Sequence, residues 1–213
     1  MEKRTMKIPS KADGSVFLRV IPGHFATNHS HINHYIDMTT LKSRKSEAQG
    51  AAKLLAQRYS MTTIVDTIVC MDGCGVIGAY LADELQKAGV MSVNQHQTLY
   101  VVSPELDNNG QLIFRDNTQF MIEGKNVLLL LATATTGQTI DRALQSVHYY
   151  GGIVTGIAAL FSAISKANGV SVNSIFSQKD LPDYQTYAFN QCPLCKQNVR
   201  VDAIVNGFGY SKL

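Results

Sequence analysis

Apolar and polar positions form a repeated order along the chain: a short apolar run, then small residues, then a helical pattern. The stretch from Lys125 to Ile140 shows this order best. Its apolar run, Val127 to Leu131, is too short for a buried helix and is typical of a central parallel strand covered on both faces. Small and hydroxyl-bearing residues fill Ala132 to Gly137. The apolar residues that follow recur at helical spacing: Ile140, Ala143, Leu144 and Val147. This order directs backbone N–H groups and hydroxyls toward an anion.

The same patterns predict the other main elements. Further strands are predicted at Asp66–Cys70, Leu99–Val102 and Ile153–Phe161. Helices are predicted at Ser43–Tyr59 and Val76–Ala88, the second closed by Gly89. Strands that alternate with helices predict an α/β fold with a parallel sheet, and such sheets bind ligands at the carboxyl ends of their strands.

The two ends of the chain carry weaker patterns. Residues 1–15 have few apolar groups, and we expect them to form a loosely held arm. The segment from Val16 to Met38 is interrupted by Pro22 and Gly23, which predicts short strands and turns. We expect the tail from Asn168 onward to be irregular.

The stretch from Ser103 to Asp116 predicts an ordered β-hairpin. Its centre, Asn108-Asn109-Gly110, is typical of a hairpin tip, with Glu105 and Asp107 nearby. Apolar residues in and beside the arms would be buried: Leu99, Val101, Leu112, Ile113 and Phe114. We expect the hairpin to be folded without ligand and to serve as a fixed wall or a subunit contact.

Composition narrows the class of protein. With 213 residues, 45% hydrophobic and 16% charged, the chain can build one sizeable core, and we expect one α/β domain with a small appendage. The net charge is only +3 and no dense Lys/Arg stripe occurs, so no nucleic-acid partner is indicated. No stretch is long enough to span a membrane and the first residues lack the apolar core of a signal peptide, so we expect a cytoplasmic protein without a membrane partner.

Two loops between a strand and a helix carry the candidate chemistry. The first loop consists of Met71, Asp72, Gly73, Cys74 and Gly75. The second contains Thr135, Thr136, Gly137, Gln138 and Thr139. Small-residue loops at helix starts cradle phosphates, and two in one chain indicate a phosphorylated ligand. The alternatives are a tight turn with Asp72 as a helix cap, and a helix start capped by threonine hydroxyls.

These motifs, in this order, resemble the type I phosphoribosyltransferases, and within them the orotate phosphoribosyltransferases. Thr135–Thr139 after an apolar strand is similar to that family's phosphate loop, and Asp66–Val69 leading to Gly73 and Gly75 is similar to its pyrophosphate loop. Further segments extend the resemblance over roughly residues 16 to 200: Gly23-His24-Phe25, Tyr35–Met38 with Lys42, and Cys192–Lys196. The resemblance implies the type I phosphoribosyltransferase fold, with a core of about 41–167, a hood of about 1–40 and 168–213, and a homodimer.

The resemblance also implies an activity. Members of the family displace pyrophosphate from the anomeric carbon of phosphoribosyl pyrophosphate with a base nitrogen, here of a pyrimidine-type base. Thr135–Thr139 would hold the 5-phosphate, and Met71–Gly75 would hold the pyrophosphate together with Mg²⁺. The segment from His29 to His34 would lie near the base. The residues implied to face the ring are Phe25, His34 and Tyr35.

Two features depart from the family's pattern. The acidic pair that holds the ribose hydroxyls is replaced by Leu131 and Ala132, whose side chains accept no hydrogen bond. Asp72 and Asp141 are the candidates to replace it. The mobile loop, rich in cations in the family, is here Ser103–Gly110, with two carboxylates and no cation. We therefore expect reduced or altered transfer with no assigned catalytic residue, and the alternative is a non-catalytic protein that binds a nucleotide or sugar phosphate.

Histidines and cysteines raise the question of a metal. His29, His31 and His34 fit no standard zinc spacing. Cys192 and Cys195 form half of a zinc site, which would need Cys70 and Cys74, histidines or a second subunit to complete it. The alternative is a pair of buried thiols. We favour that alternative, assign no metal ligand, and expect less than one zinc per chain.

Overall fold

The computed structural model describes residues 2–87, 92–95, 98–107, 111–135 and 137–213. Within these residues the chain forms two six-stranded sheets, one short hairpin and flanking helices. The strands are β1 Met6–Pro9, β2 Phe17–Ala26, β3 His31–Asp37, β4 Thr67–Cys70, β5 Tyr100–Val102, β6 Glu105–Leu106, β7 Leu112–Ile113, β8 Asn126–Ala134, β9 Ile153–Ser162, β10 Lys166–Ala167, β11 Val170–Ser177, β12 Thr186–Tyr187, β13 Ala203–Asn206 and β14 Gly209–Lys212. The helices are α1 Thr39–Ser43, α2 Lys45–Ala56, α3 Gly75–Lys87, α4 Asp116–Gln119, α5 Gln138–Tyr149 and α6 Pro193–Lys196. Short 3-10 turns lie at Glu2–Arg4 and Phe189–Gln191.

The core sheet has the order β10-β11-β9-β8-β4-β5. All its pairings are parallel except that of β10 with β11. Helices α2 and α3 cover one face of β8, and α5 covers the other. The predicted α/β fold with a central parallel sheet is thereby confirmed.

The core extends further along the chain than its predicted end at residue 167. Strand β11 pairs in parallel with β9, so the prediction of an irregular tail from Asn168 is wrong. Polar residues at Ser171, Asn173, Ser174 and Ser177 interrupt the apolar positions of this strand, so the sequence shows no continuous apolar run. One of those polar residues, Asn173, donates a hydrogen bond of 3.1 Å to the Tyr59 hydroxyl.

The second sheet, which we call the hood, joins the two ends of the chain in the order β12-β3-β2-β13-β14. Strands β2 and β3 form one long hairpin, whereas the sequence predicted short strands and turns. A register shift between Pro22 and Phe25 accommodates the two interrupting residues. The expected loose arm is also wrong, because β1 pairs with β2 from Met6 to Pro9.

Packing and ion pairs attach the hood to the core. A single hydrophobic cluster runs from Leu18 and Val20 of β2 to helices α2 and α3. Beside it, the Arg19 guanidinium lies 2.8 Å from the Glu47 carboxylate, which is 8% exposed. Arg44 is extended and separates α1 from α2, so the predicted helix Ser43–Tyr59 corresponds to α2, which begins at Lys45 and ends at Ala56. Within the described residues, no helix is long and apolar enough to cross a membrane.

Close packing of α3 on the sheet generates a stability prediction. A Cβ at Gly78 would overlap the Cys70 sulfur and lie 3.1 Å from a Val101 methyl. We expect Gly78→Ala to lower the free energy of unfolding by about 1–2 kcal/mol, because overpacking outweighs the gain of about 1 kcal/mol in helix propensity. Urea denaturation measures this change. Gly14→Ala, with no atom within 4 Å of the added Cβ, is the control. Equal stabilities would show that α3 stands further from the sheet.

Candidate functional site

A cleft of about 410 Å³ lies between the hood and the carboxyl ends of β4 and β8. The core wall is formed by Asp72, by the end of β8 and by the start of α5. The hood wall is formed by the turn at residues 27–30, by β3 and by the loop at residues 206–209. This is the edge at which parallel sheets bind ligands.

The N-terminus of α5 opens into the cleft. Its N-cap is Gly137, which has a φ of 81° and no side chain to cap the helix. The first N–H groups of a helix have no partner within it, and the helix dipole makes this end favourable for an anion. Four of the predicted phosphate ligands line the cleft here: Thr135, Gly137, Gln138 and Thr139. Thr136 lies outside the described residues.

Asp72 contributes the only carboxylate among the described residues that line the cleft. The Ala132 N–H donates to Asp72 Oδ2 over 3.3 Å. Burial raises the pKa of this carboxyl group, and the bond from Ala132 and the nearby Lys42 ammonium act in the opposite direction. Asp72 has a φ of 53°, a left-handed conformation that non-glycine residues seldom adopt.

Lys42 connects the two walls of the cleft. Its ammonium donates to the Asp72 carbonyl over 2.7 Å and to the Gly207 carbonyl over 2.6 Å. The first carbonyl belongs to the core and the second to the hood. The sequence placed Lys42 in a family-like segment, but this bridge depends on two carbonyls that are distant along the chain.

The rest of the predicted pyrophosphate loop does not present side chains to the cleft. The side chains of Met71 and Cys74 are buried, so any contact of these two residues with pyrophosphate would be made by backbone atoms, and the pyrophosphate loop stays a prediction. Burial also raises the pKa of the Cys74 thiol. Gly73 has a φ of 74° and is exposed, while Gly75 begins α3.

On the hood side, His34 and Tyr35 line the cleft as predicted, but Phe25 does not. Phe25 is fully buried, with its ring centroid 5.9 Å from that of Tyr35, because its strand directs it into the hydrophobic cluster. Burial raises the pKa of Tyr35 to about 12 and lowers the pKa of His34, so both rings are neutral at pH 7.

No protein-family model matches the chain. The orotate phosphoribosyltransferase of Desulforamulus reducens is 24% identical over 182 residues, which are 84% of this chain and 86% of that protein. The enzyme of the same name from Chlorobium phaeobacteroides is 25% identical over 187 residues, 86% and 88% of the two chains. Among solved structures, Mycobacterium tuberculosis orotate phosphoribosyltransferase with Fe(III) dicitrate has a TM-score of 0.52 and 17% identity, over 77% of this chain and 92% of that one. Leishmania donovani UMP synthase has a TM-score of 0.55 and 16% identity, over 84% of this chain and 36% of that one.

The chain has the type I phosphoribosyltransferase fold. It is a relative of the orotate phosphoribosyltransferases, and the resemblance carried by the motifs is confirmed.

Within this fold, the two residues in place of an acidic pair belong to the core. Leu131 and Ala132 are 0% and 4% exposed, and they pack into the two clusters on opposite faces of β8. The other acidic candidate, Asp141, accepts a bond of 3.0 Å from Asn168 and does not line the cleft. Asp72 is therefore the carboxylate available to a ligand among the described residues.

The hairpin predicted within Ser103–Asp116 is present as β6 and β7, and its tip at 108–110 lies outside the described residues. The Arg115 guanidinium donates to the Glu105 carboxylate at 2.5, 3.1 and 3.2 Å. Leu112 and Phe114 are buried against α5, with the Phe114 ring 5.2 Å from that of Tyr150. None of the hairpin's described residues lines the cleft, so Arg115 does not reach a ligand bound there.

Arg142 is a cleft residue that the sequence analysis missed. It lies on the cleft wall together with Gln138. The spacing of four residues puts both side chains on one helical face, and that signal was available in the sequence. Cys192 and Cys195 lie outside the cleft, and Cys195 is exposed, so the interpretation as two buried thiols is wrong for it.

We predict that the hairpin is static. Amide hydrogen exchange at Leu112 and Phe114 should be slow in the free protein, because both side chains are buried against α5. Adding phosphoribosyl pyrophosphate and Mg²⁺ should leave these rates unchanged, whereas amides at the start of α5 should slow and so report binding. Fast exchange at Leu112 and Phe114 that slows with the ligand would show instead a loop that closes over substrate.

Proposed function

We propose that this protein is phosphoribosyltransferase-like, binds phosphoribosyl pyrophosphate or a pyrimidine nucleotide in the cleft, and transfers phosphoribosyl to a pyrimidine-type base slowly. The observation that carries the proposal is the position of the α5 N-terminus, at the core end of a cleft whose other wall is the hood. The start of α5, which would bind the phosphate, thus faces the same cleft as the neutral rings of His34 and Tyr35. The curated relatives named above are orotate phosphoribosyltransferases, and the Mycobacterium tuberculosis protein has been solved with phosphoribosyl pyrophosphate.

The 5-phosphate would bind at the start of α5. Its donors would be the backbone N–H groups of the first helical turn together with the hydroxyls of Thr135 and Thr139. Both threonines lie on the cleft wall. Lys42 and Arg142 supply positive charge to the same cleft. A lysine ammonium has three N–H donors and two are used by the carbonyls of Asp72 and Gly207, which leaves one for a ligand.

Asp72 would hold the ribose hydroxyls or Mg²⁺. Magnesium is commonly bound through one or two carboxylates together with substrate phosphates, so a single carboxylate fits an ion carried mainly by the ligand. When bound, Mg²⁺ would neutralise charge on the pyrophosphate. Asp72 itself would orient the ligand, because Ala132 and Lys42 hold its position.

Transfer should be slow because the described hairpin supplies no unpaired cation to the leaving group. Loss of one well-placed donor costs about 10²–10³ in rate. In the described hairpin the one cation, Arg115, is paired with Glu105. The same contact favours the second candidate function, a non-catalytic protein that senses a nucleotide or sugar phosphate. A homodimer and a cytoplasmic location stay predictions.

Substitution at the anchor tests phosphate binding. Thr135→Glu should weaken uridine monophosphate binding at least tenfold in calorimetric titration, because it places a carboxylate where the phosphate lies. Gln145→Glu makes the same change of charge on an exposed part of α5 outside the cleft, and should bind like the parent. A carboxylate at the helix start does not oppose the dipole, so folding should persist. Equal affinity of the two variants for uridine monophosphate would show that the phosphate does not bind at the start of α5.

Turnover separates the two functions. With orotate, phosphoribosyl pyrophosphate and Mg²⁺, pyrophosphate release should be at least about 10²-fold slower than for an ordinary orotate phosphoribosyltransferase assayed alongside. Asp72→Asn should lower the remaining rate and weaken binding of phosphoribosyl pyrophosphate with Mg²⁺. A rate equal to that of the ordinary enzyme would contradict slow transfer. Binding without any turnover would establish the non-catalytic alternative.

A further inference from the structure

Four side chains with metal-binding atoms converge outside the cleft, where the hood meets the C-terminal tail. They are His24 of β2, His31 at the start of β3, and Cys192 and Cys195 at helix α6. Their donor atoms all lie within 4.8 Å of one another. The two cysteines come from one helical turn and the two histidines from the two strands of one hairpin.

The distances among these donor atoms are close to those between the ligand atoms of a tetrahedral metal site. His24 Nε2 lies 2.9 Å from His31 Nδ1, 3.5 Å from Cys192 Sγ and 3.7 Å from Cys195 Sγ. Cys195 Sγ lies 3.2 Å from His31 Nδ1. Around tetrahedral zinc, with bonds of about 2.0–2.3 Å, neighbouring ligand atoms are roughly 3.3–3.8 Å apart. The remaining donor pairs lie within 4.8 Å, so shifts of up to about 1 Å would complete the coordination.

The surroundings hold the ligands in the required orientation. His24 Nδ1 lies 2.8 Å from the Val199 carbonyl and donates to it, which leaves the lone pair of Nε2 directed at the cluster. The His24 backbone N–H donates to Asp202 over 3.0 Å. His24 and Cys192 are each 1% exposed, so half of the site is buried and fixed. The His31 ring packs edge-on against Phe189 at 5.1 Å.

We propose that His24 Nε2, His31 Nδ1, Cys192 Sγ and Cys195 Sγ bind a structural Zn²⁺. Two thiolates and two imidazoles in a tetrahedron are a ligand set typical of zinc. Four protein ligands leave no open position for substrate, so the ion has no catalytic role. Binding displaces the two thiol protons, and the site with two neutral imidazoles carries no net charge. The proposal reverses the expectation from the sequence of less than one zinc per chain.

The ion would fasten the tail to the hood. The cysteines lie between β12, which pairs with β3, and β13, which pairs with β2. The loop after β13 lines the cleft and supplies the Gly207 carbonyl that accepts from Lys42. Zinc would therefore stabilise one wall of the cleft from outside, without touching a ligand in it.

Elemental analysis of the full chain tests the site. Protein prepared without added metal and dialysed against a weak chelator should retain about one zinc per chain. Cys195→Ser and His31→Gln should each reduce this to less than about one-tenth, because a ligand is lost. Cys70→Ala and His148→Ala remove a thiol and an imidazole outside the cluster and should keep the zinc. Far-ultraviolet circular dichroism checks that the variants fold.

Cobalt replacement gives a measurement that needs no variant. The parent chain reconstituted with Co²⁺ should show the visible absorption of tetrahedral cobalt and a thiolate-to-cobalt charge-transfer band. A zinc content far below one per chain, together with the absence of the charge-transfer band in the cobalt-treated protein, would overturn the proposal. The four side chains would then form a hydrogen-bonded cluster without a metal. A Cys192–Cys195 disulfide found by mass spectrometry in the purified protein would also overturn it, as would iron in place of zinc.

Discussion

Burial of β8 on both faces is the constraint on which the rest of the structure depends. Alternate residues of this strand pack against α5 on one side and against α2 and α3 on the other. Its backbone groups are therefore out of water and must be paired by β4 and β9, which sets the register of the parallel sheet. Polar groups can therefore be exposed to a ligand only where β8 ends, and the cleft lies at that edge of the sheet.

The same constraint decides which groups the end of β8 can offer to a ligand. Leu131 and Ala132 continue the two-faced packing of β8 almost to the end of the strand, so neither offers a polar side chain there. The carboxylate in the cleft comes instead from Asp72 after the neighbouring strand, positioned by the Ala132 N–H. The start of α5 would still bind the phosphate in the proposed function, because its donors are mainly backbone N–H groups. Phosphate binding and catalysis would then depend on different residues.

Several charged side chains hold elements of the fold in place. Arg115 pairs with Glu105 within the hairpin, and Arg19 pairs with Glu47 between the hood and the core. Lys42 spans the cleft wall through two carbonyls. A zinc ion at the base of the hood would add a fourth connection of this kind. The hood is a small sheet, and small units with limited cores are commonly stabilised by metals or ion pairs.

The sequence by itself determined the central strands, α5 and the small-residue loop before α5, because apolar runs and helical spacing are local patterns that tertiary packing reinforces. It also indicated the hairpin at Ser103–Asp116 and the family. Only the tertiary structure decided that Phe25 is a core residue, that β11 joins the core sheet, and that His24 meets Cys192 across 168 positions of sequence. No local pattern records such a meeting, since it depends on how the hood sheet brings the two ends of the chain together. Which way a side chain points, and which residue a charged group pairs with, are decided only when these distant segments pack together.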